Sequence, residues 1–350
     1  MEPLVLPARE GVRNLLDHCA GVAKGEKVAV VNERGKITEA LVSLITEGIR
    51  ERGALDEVLW IGADEAPAPQ GAPVKATFSA QDAEAIAAAD KVISSLRDDV
   101  FVELSARHQL PPVVTHLFLT VEDMASEHAR YHWGMVRAIY DFLETDIFRM
   151  GASWRITTPS GTDVRGRIDD LSARARYRDE QTAPFLRSFH SGAYRPSAVA
   201  DTEGVVVCEY TGGASRLPCY DPPVIEVAKN RIADIRGGRH LRRWTDEYRS
   251  SFDDKARRFG DAATVVDSWH GGANPRAETI PGIVGNGGTR MMHFHLGRTT
   301  GKSGDYLAAE ISYHTLEVDG EKIYENGNLC ILDHPKVRAA AGRFGLEGWK

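Results

Sequence analysis

The chain has 350 residues, of which 42% are hydrophobic and 27% are charged, and its formal net charge is −7. This composition is typical of a globular protein with two domains, and the negative charge argues against nucleic acid or an anionic membrane surface as a partner. No apolar run approaches the roughly 20 residues that span a bilayer, and the first residues lack the basic start and apolar stretch of a signal peptide.

The first 150 residues alternate between helical and strand patterns. Apolar residues at helical spacing predict helices over residues 8–23, 38–52, 80–89 and 124–149. Runs rich in β-branched residues predict strands over residues 27–31, 58–61, 91–94 and 113–121. We therefore expect a Rossmann-like α/β domain over residues 1–150, with a mostly parallel sheet and helices on its faces. No Gly-x-Gly-x-x-Gly fingerprint follows its first strand, so nothing indicates a nucleotide.

From Gly151 onward the chain is rich in glycine and in short β-type runs. A strand, a turn and a second strand are predicted over residues 154–165, followed by strands over residues 205–208, 224–227, 231–235, 291–296 and 308–313. Helices are expected only at residues 241–258 and 335–343. This pattern predicts a mixed, β-rich catalytic domain over residues 151–350.

The four cysteines indicate a reducing compartment. They lie far apart and form no Cys-x-x-Cys pattern, at Cys19, Cys208, Cys219 and Cys330. Neither a disulfide framework nor a cysteine zinc site is expected from such spacing. We therefore expect a cytoplasmic protein with reduced thiols.

Five of the twelve histidines lie near the C-terminus, at His270, His293, His295, His314 and His334. Neutral imidazole is the commonest protein ligand for zinc, iron and copper. His293 and His295 are two positions apart in an apolar run, so on a strand both point to one face. The pattern predicts a metal site made of His270, His293, His295 and His314, and leaves open which of His293 and His295 is a ligand. The alternative is a set of solvated or backbone-bonded imidazoles without a metal.

Several other residues are candidates for catalysis or substrate binding. Glu310 shares a face with His314 if the run between them is extended, and it is a candidate catalytic residue. His190 is a candidate for proton transfer. An arginine can bind a carboxylate through two parallel hydrogen bonds. Substrate contacts are predicted for Ser268, Tyr194 and Arg276.

Four segments in the second half carry a family resemblance. They are Arg155–Asp163, Pro223–Gly238, Gly272–Ala277 and the strand that ends at His295–Gly297. In this order they resemble the thermophilic aminopeptidases of the aminopeptidase T family and their relative, 2,5-dihydroxypyridine dioxygenase. The resemblance implies a two-domain metalloenzyme, usually a homodimer. It also implies either a two-metal site of glutamates, histidines and an aspartate, as in the aminopeptidases, or one Fe(II) held by two histidines and an aspartate, as in the dioxygenase.

The chain departs from the family at its metal ligands. Three positions that hold carboxylates in the aminopeptidases carry other residues here, namely Ala193, Ser268 and Leu316. His293 and His314 match histidines of the family, and His270 can substitute for the ligand at position 268 if that segment is extended. A two-metal centre needs bridging carboxylates, so the remaining histidines suit a single metal better.

The leading hypothesis is a mononuclear metal-dependent oxidoreductase of aromatic compound catabolism. In its specific form, Fe(II) supports ring-cleaving dioxygenation of a small aromatic or N-heterocyclic substrate. The alternative is a metallohydrolase (an amidase, deaminase or aminopeptidase) in which Zn or Mn lowers the pKa of a bound water. A third reading is a non-catalytic member of the family, since several family ligands are absent. The expected partners are a small-molecule substrate and a second copy of the chain, and neither nucleic acid nor a membrane.

Overall fold

The computed structural model describes residues 2–62, 78–96, 98–169, 186–189, 193–194, 199–211, 222–237, 253, 264–277, 289–296 and 307–346. The chain forms two compact units. The first comprises residues 1–137, 175–192 and 276–283, and the second comprises residues 138–174, 193–275 and 284–350. The domain boundary predicted at residue 150 stays a prediction, and the return of two later segments to the first unit was not foreseen from the sequence.

Eight α-helices lie in the described part of the chain. They are α1 (Glu2–Arg13), α2 (Glu39–Glu51), α3 (Ala80–Ala87), α4 (Asp98–Ser105), α5 (Val121–Ala125), α6 (Glu127–Arg130), α7 (Trp133–Phe142) and α8 (Pro335–Arg343). Two π-helices, Asn14–Ala20 and Leu143–Ile147, continue α1 and α7, and a 3-10 helix over Cys330–Asp333 precedes α8. None of the helices in these ranges is long and apolar enough to cross a membrane.

One predicted helical stretch is broken into several shorter helices, and one predicted helix lies outside the described residues. Residues 124–149 form no single helix, because Ser126 adopts an extended backbone and its hydroxyl accepts a hydrogen bond from the Ala129 amide, which starts α6 anew. The chain is extended again at Tyr131, where α6 ends. The helix predicted over residues 241–258 falls outside the described ranges apart from the single residue Asp253. The last predicted helix is confirmed by α8.

The strands of the described residues are, in chain order, β1 (Lys27–Glu33), β2 (Leu55–Ile61), β3 (Lys91–Ser94), β4 (Val113–His116), β5 (Ser153–Thr157), β6 (Asp163–Ile168), β7 (Leu186–Phe189), β8 (Ala193–Tyr194), β9 (Val199–Val207), β10 (Tyr210–Thr211), β11 (Val224–Ala228), β12 (Arg231–Arg236), β13 (Val266–Gly272), β14 (Met291–Leu296), β15 (Leu307–Ser312), β16 (Thr315–Val318), β17 (Glu321–Glu325) and β18 (Asn328–Leu329). The strand predicted over residues 113–121 is shorter than expected, since β4 ends at His116 and α5 begins at Val121.

The first unit is built on a parallel sheet in the order β2-β1-β3-β4-β7, as far as the structure describes it. Val28, Val30 and Val31 of β1 are completely buried, as expected for a strand covered by helices on both faces. The predicted α/β class is confirmed. The fifth strand, β7, comes from the half of the chain that was predicted to be β-rich. It has only four residues, and the sequence around it shows no alternation of helix and strand patterns.

The described residues of the second unit form two antiparallel sheets. The first, called here the site sheet, has the order β10-β15-β14-β13-β8 within the described residues, and the second is an eight-stranded sheet, β12-β11-β9-β6-β5-β16-β17-β18. Trp269 of β13 meets Trp154 of β5 edge-on, with ring centroids 5.7 Å apart, and Tyr324 of β17 donates a hydrogen bond to the Gly272 carbonyl at 2.9 Å. One face of the site sheet is therefore packed against the eight-stranded sheet.

A buried histidine ends β4 in the first unit. His116 has no exposed surface, and its Nδ1 lies 3.0 Å from the Phe118 carbonyl oxygen. Burial lowers the pKa of His116 from 6.5 to about 4, because the charged imidazolium is poorly solvated there, and the hydrogen bond to Phe118 opposes this only in part. The ring is therefore neutral in the folded protein at neutral pH.

We expect a His116→Gln variant to lose less stability than the wild type on acidification. Unfolded wild-type protein takes up a proton below pH 6.5 that the folded protein refuses until about pH 4, so stability is full above pH 6.5 and is lost as the pH falls. At about 1.4 kcal/mol per pH unit, this group costs the wild type roughly 2 kcal/mol at pH 5. Urea unfolding of both proteins at pH 7 and pH 5 measures the difference, and an unchanged pH dependence in the variant would contradict the assignment.

Candidate metal centre

Three adjacent strands of the site sheet place polar residues side by side. His270 of β13 pairs in register with His293 of β14, and His293 pairs with Glu310 of β15. One step along the strands, Ser268 pairs with His295. Because register partners and alternate residues share a face, all five side chains lie on the same side of the sheet.

The opposite face of the same strands is apolar. Trp269, Phe294 and Ile311 have no exposed surface, and each alternates along its strand with a residue of the polar face. The ring of Trp269 also meets Phe148 edge-on at a centroid distance of 5.4 Å. Each histidine of the polar face therefore alternates with side chains that are buried on the apolar face.

The three histidines form one compact and buried group. His270, His293 and His295 are only 7%, 6% and 3% exposed, and their ring centroids lie 4.1 to 4.9 Å apart. Their nitrogen atoms that could act as ligands lie within 4.8 Å of one another, and the Nε2 atoms of His293 and His295 are 3.0 Å apart. Two nitrogens bound to one tetrahedral ion stand roughly 3.3 Å apart by geometry. The His293 and His295 nitrogens are close to that separation, and their distance also fits a hydrogen bond between the two rings.

The donor set narrows the choice of metal. All three side chains of the group are imidazoles, and all are buried. In the neutral form each offers a nitrogen lone pair, which a transition metal such as iron, zinc or copper binds well. Magnesium and calcium prefer oxygen ligands and fit this group poorly. The residues present therefore suit a single transition-metal ion.

Glu310 supplies a carboxylate beside the histidines. It is 4% exposed and is the direct cross-strand neighbour of His293. A carboxylate in this position can hydrogen-bond an imidazole, coordinate an ion or accept a proton. The prediction was that Glu310 shares a face with His314 in an extended run, but the structure pairs Glu310 in register with His293 of the neighbouring strand.

His314 is not part of the three-histidine group. The extended run assumed for it ends at Ser312, because Tyr313 adopts a left-handed backbone with φ 48°, and His314 lies between β15 and β16. Its ring is fully buried 5.1 Å from that of Tyr324, and neither ring nitrogen has a hydrogen-bond partner among the described residues. Burial lowers the pKa of His314 to about 3, so the ring is neutral. Its predicted role as a ligand stays a prediction.

The remaining candidates are placed differently. Ser268 is fully buried beside His295, as described above. Arg276 follows β13 and forms an ion pair with Glu127 at 3.5 Å, where both side chains are exposed. Tyr194 lies in β8, where its backbone pairs with Gly271. His190 lies outside the described residues. Their roles in substrate binding and proton transfer stay predictions.

One residue with polar contacts near the group was missed in the sequence. Glu209 lies between β9 and β10, and its carboxylate accepts hydrogen bonds from the Ser312 amide and hydroxyl and from the Ser160 hydroxyl. Its partners are 103 and 49 residues away along the chain, which no local pattern reveals. The available signal was a charged residue directly after the apolar run Val205–Cys208.

Comparison with known proteins identifies solved structures with the same fold. No protein-family model matches the chain, and no curated protein matches it. Among solved structures, 2,5-dihydroxypyridine dioxygenase from Pseudomonas putida KT2440 is similar with a TM-score of 0.63 and 14% identity, over 96% of this chain and 98% of that one. Wild-type AmpT, an aminopeptidase T from Thermus thermophilus, is similar with a TM-score of 0.52 and 13% identity, over 93% of this chain and 99% of that one.

The resemblance predicted from the four sequence segments is thus confirmed at the level of the fold. Both solved structures match nearly their entire length to nearly the entire chain. At 13% to 14% identity the similarity concerns the path of the backbone and not the reaction. The chain therefore has the fold of these two proteins.

Proposed function

We propose that the protein is a metal-dependent enzyme that acts on a small molecule and holds one transition-metal ion through His270, His293 and His295. The observation that carries the proposal is the burial of three imidazoles on one face of β13 and β14, with ligand atoms within 4.8 Å of one another. Burying so many polar rings together is costly unless a partner compensates for the lost water. The Nε2 atoms of His293 and His295 lie within hydrogen-bond distance of each other, and a shared cation would bind a lone pair of all three rings.

For the reaction, we propose ring-cleaving dioxygenation of a small aromatic or N-heterocyclic substrate with Fe(II). Within the described residues, the three histidines are the only group of three potential ligands, which favours one ion over a two-metal hydrolase. Imidazole nitrogens are ligands that suit iron. One structure of the same fold is, by its name, a dioxygenase. When bound, the iron would supply the binding and activation of O2 and substrate.

The surrounding residues would handle binding and protons. Glu310, as the buried carboxylate beside His293, would accept the proton of a substrate hydroxyl. The hydroxyl of Ser268, beside His295, would orient a polar atom of the substrate. We keep three further roles as proposals, namely His314 as an additional ligand, His190 in proton transfer, and Arg276 and Tyr194 in binding substrate.

A metallohydrolase is the second candidate. Ligation by three histidines with an open position suits zinc, which lowers the pKa of a bound water to about 7. In that case Glu310 would act as the general base toward the water. The substrate would then be an amide, an amine or a peptide, and Zn or Mn would replace Fe(II).

Elemental analysis of anaerobically purified protein tests the two candidates. For the oxygenase we expect about one Fe per chain and oxygen uptake with hydroxylated pyridines or phenols. About one Zn or Mn per chain, with hydrolysis of an amide panel and no oxygen uptake, would establish the hydrolase instead. Protein that holds no metal and cannot be loaded with one would contradict both and favour a non-catalytic role.

The predicted assembly and location remain predictions. We propose a homodimer in the cytoplasm, on the basis of the family resemblance and of the cysteine spacing. Light scattering of the purified protein would give the mass of the particle in solution, and a monomer at micromolar concentration would contradict the dimer.

A further inference from the structure

Glu209 holds the end of β15 through three contacts. Its backbone amide donates to the Glu310 carbonyl at 2.9 Å. Its Oε2 accepts from the Ser312 amide at 3.2 Å and also from the Ser312 hydroxyl. Since Glu310 and Ser312 are alternate residues of one strand, both lie on the polar face of the site sheet.

The other carboxylate oxygen of Glu209 reaches the eight-stranded sheet. Oε1 accepts from the Ser160 hydroxyl at 2.5 Å, and that hydroxyl also lies 2.7 Å from the Thr158 hydroxyl. Ser160 belongs to the turn between β5 and β6, within the segment Arg155–Asp163 that carried part of the family resemblance. The sequence of the turn does not predict the contact between Ser160 and Glu209, and the proposed chemistry gives that contact no role.

The contacts of Glu209 lie in the last residues of β15, which ends at Ser312. Tyr313 turns the backbone into the left-handed region at φ 48°, directly after Ser312. A slip of one residue in β15 would move Glu310 to the opposite face of the sheet and away from His293. Hydrogen bonds to an ionised carboxylate are stronger than those between neutral groups, so Glu209 opposes such a slip.

We propose that Glu209 is a positioning residue of the metal centre, and that it acts by fixing β15 so that Glu310 stays beside His293. The proposal rests on the proposed function, since it assumes that the three histidines hold a metal. Groups that support metal ligands without touching the ion typically contribute ten- to hundredfold to metal affinity. Glu209 would contribute at the lower end of that range, because it acts through a strand and not on a ligand directly.

The test compares the Zn(II) affinity of the full-length wild type and Glu209→Gln by competition with a chelator. We expect about tenfold weaker binding in the variant, because glutamine keeps the shape but loses the charge that holds Ser312 and Ser160. Ser312→Ala is expected to weaken binding in the same direction and serves as a second variant if Glu209→Gln folds poorly. The absorption spectrum of the Co(II)-loaded protein should change in both, since it reports the ligand geometry.

Asp163→Asn is the matched control. Asp163 lies at the start of β6 in the same hairpin as Ser160, but its exposed ion pair is made with Arg155 and not with β15. We expect wild-type Zn(II) affinity and an unchanged Co(II) spectrum in this variant. An equal loss in Asp163→Asn would show a general effect on the hairpin and overturn the proposal.

The outcomes separate the two levels of inference. Wild type that binds Zn(II) while Glu209→Gln and Ser312→Ala bind it equally well would overturn the positioning role alone. Wild type that binds no Zn(II), Co(II) or Fe(II) would overturn the proposed metal centre, and the role of Glu209 with it.

Discussion

A His295→Ala variant is expected to bind Zn(II) more than about 100-fold more weakly than the wild type, which exceeds the loss usual for groups outside the ligand shell. His295 is the least exposed of the three histidines, and its Nε2 lies 3.0 Å from that of His293. Removing it leaves only two imidazoles of the group as possible ligands. We expect the same direction for His293→Ala and His270→Ala.

Chelator competition on the purified variant measures this loss, with His108→Ala as the control for removing an imidazole. His108 follows α4 in the first unit and is not part of the three-histidine group. Wild-type affinity is expected there. If His295→Ala binds Zn(II) as tightly as the wild type, the three histidines do not form the metal site, however closely they pack.

The parts of the site that follow from short-range rules were predictable. The strand over residues 291–296 was read from its apolar run, and β14 has these same bounds. Because the side chains of a strand alternate, the pair His293 and His295 was expected on one face, and their Nε2 atoms are indeed 3.0 Å apart. This prediction needed only the residue types and their spacing along the chain.

The parts that depend on pairing between distant segments were not predictable in the same way. His270 was placed in a glycine-rich stretch, since Gly271 and Gly272 weaken a strand pattern, yet pairing with β14 makes the stretch a strand. Glu310 meets His293 through the register of β14 and β15, which the sequence does not state. The side of the sheet on which His314 lies was predicted by continuing the strand alternation through Tyr313. The left-handed backbone at Tyr313 interrupts that alternation.

A Trp269→Ala variant is expected to lower the free energy of unfolding of the second unit by about 3–5 kcal/mol, as is typical when a large aromatic side chain is removed from a core. Trp269 has no exposed surface and meets Trp154 and Phe148 edge-on between the two sheets. Urea unfolding of the metal-free protein measures the loss. Trp269→Phe, which keeps one ring, is expected to lose less.

Trp60→Ala provides the control for this experiment. Trp60 lies on β2, which is an edge strand of the parallel sheet as far as the structure describes it, and its side chain is only partly buried, so we expect a smaller loss confined to the first unit. An equal loss for both variants would contradict the packing described for Trp269.

Because Trp269 directly precedes His270, its removal is also expected to weaken Zn(II) binding. Saturating Zn(II) should then restore part of the lost stability, since an ion that binds only the folded protein stabilises it by mass action.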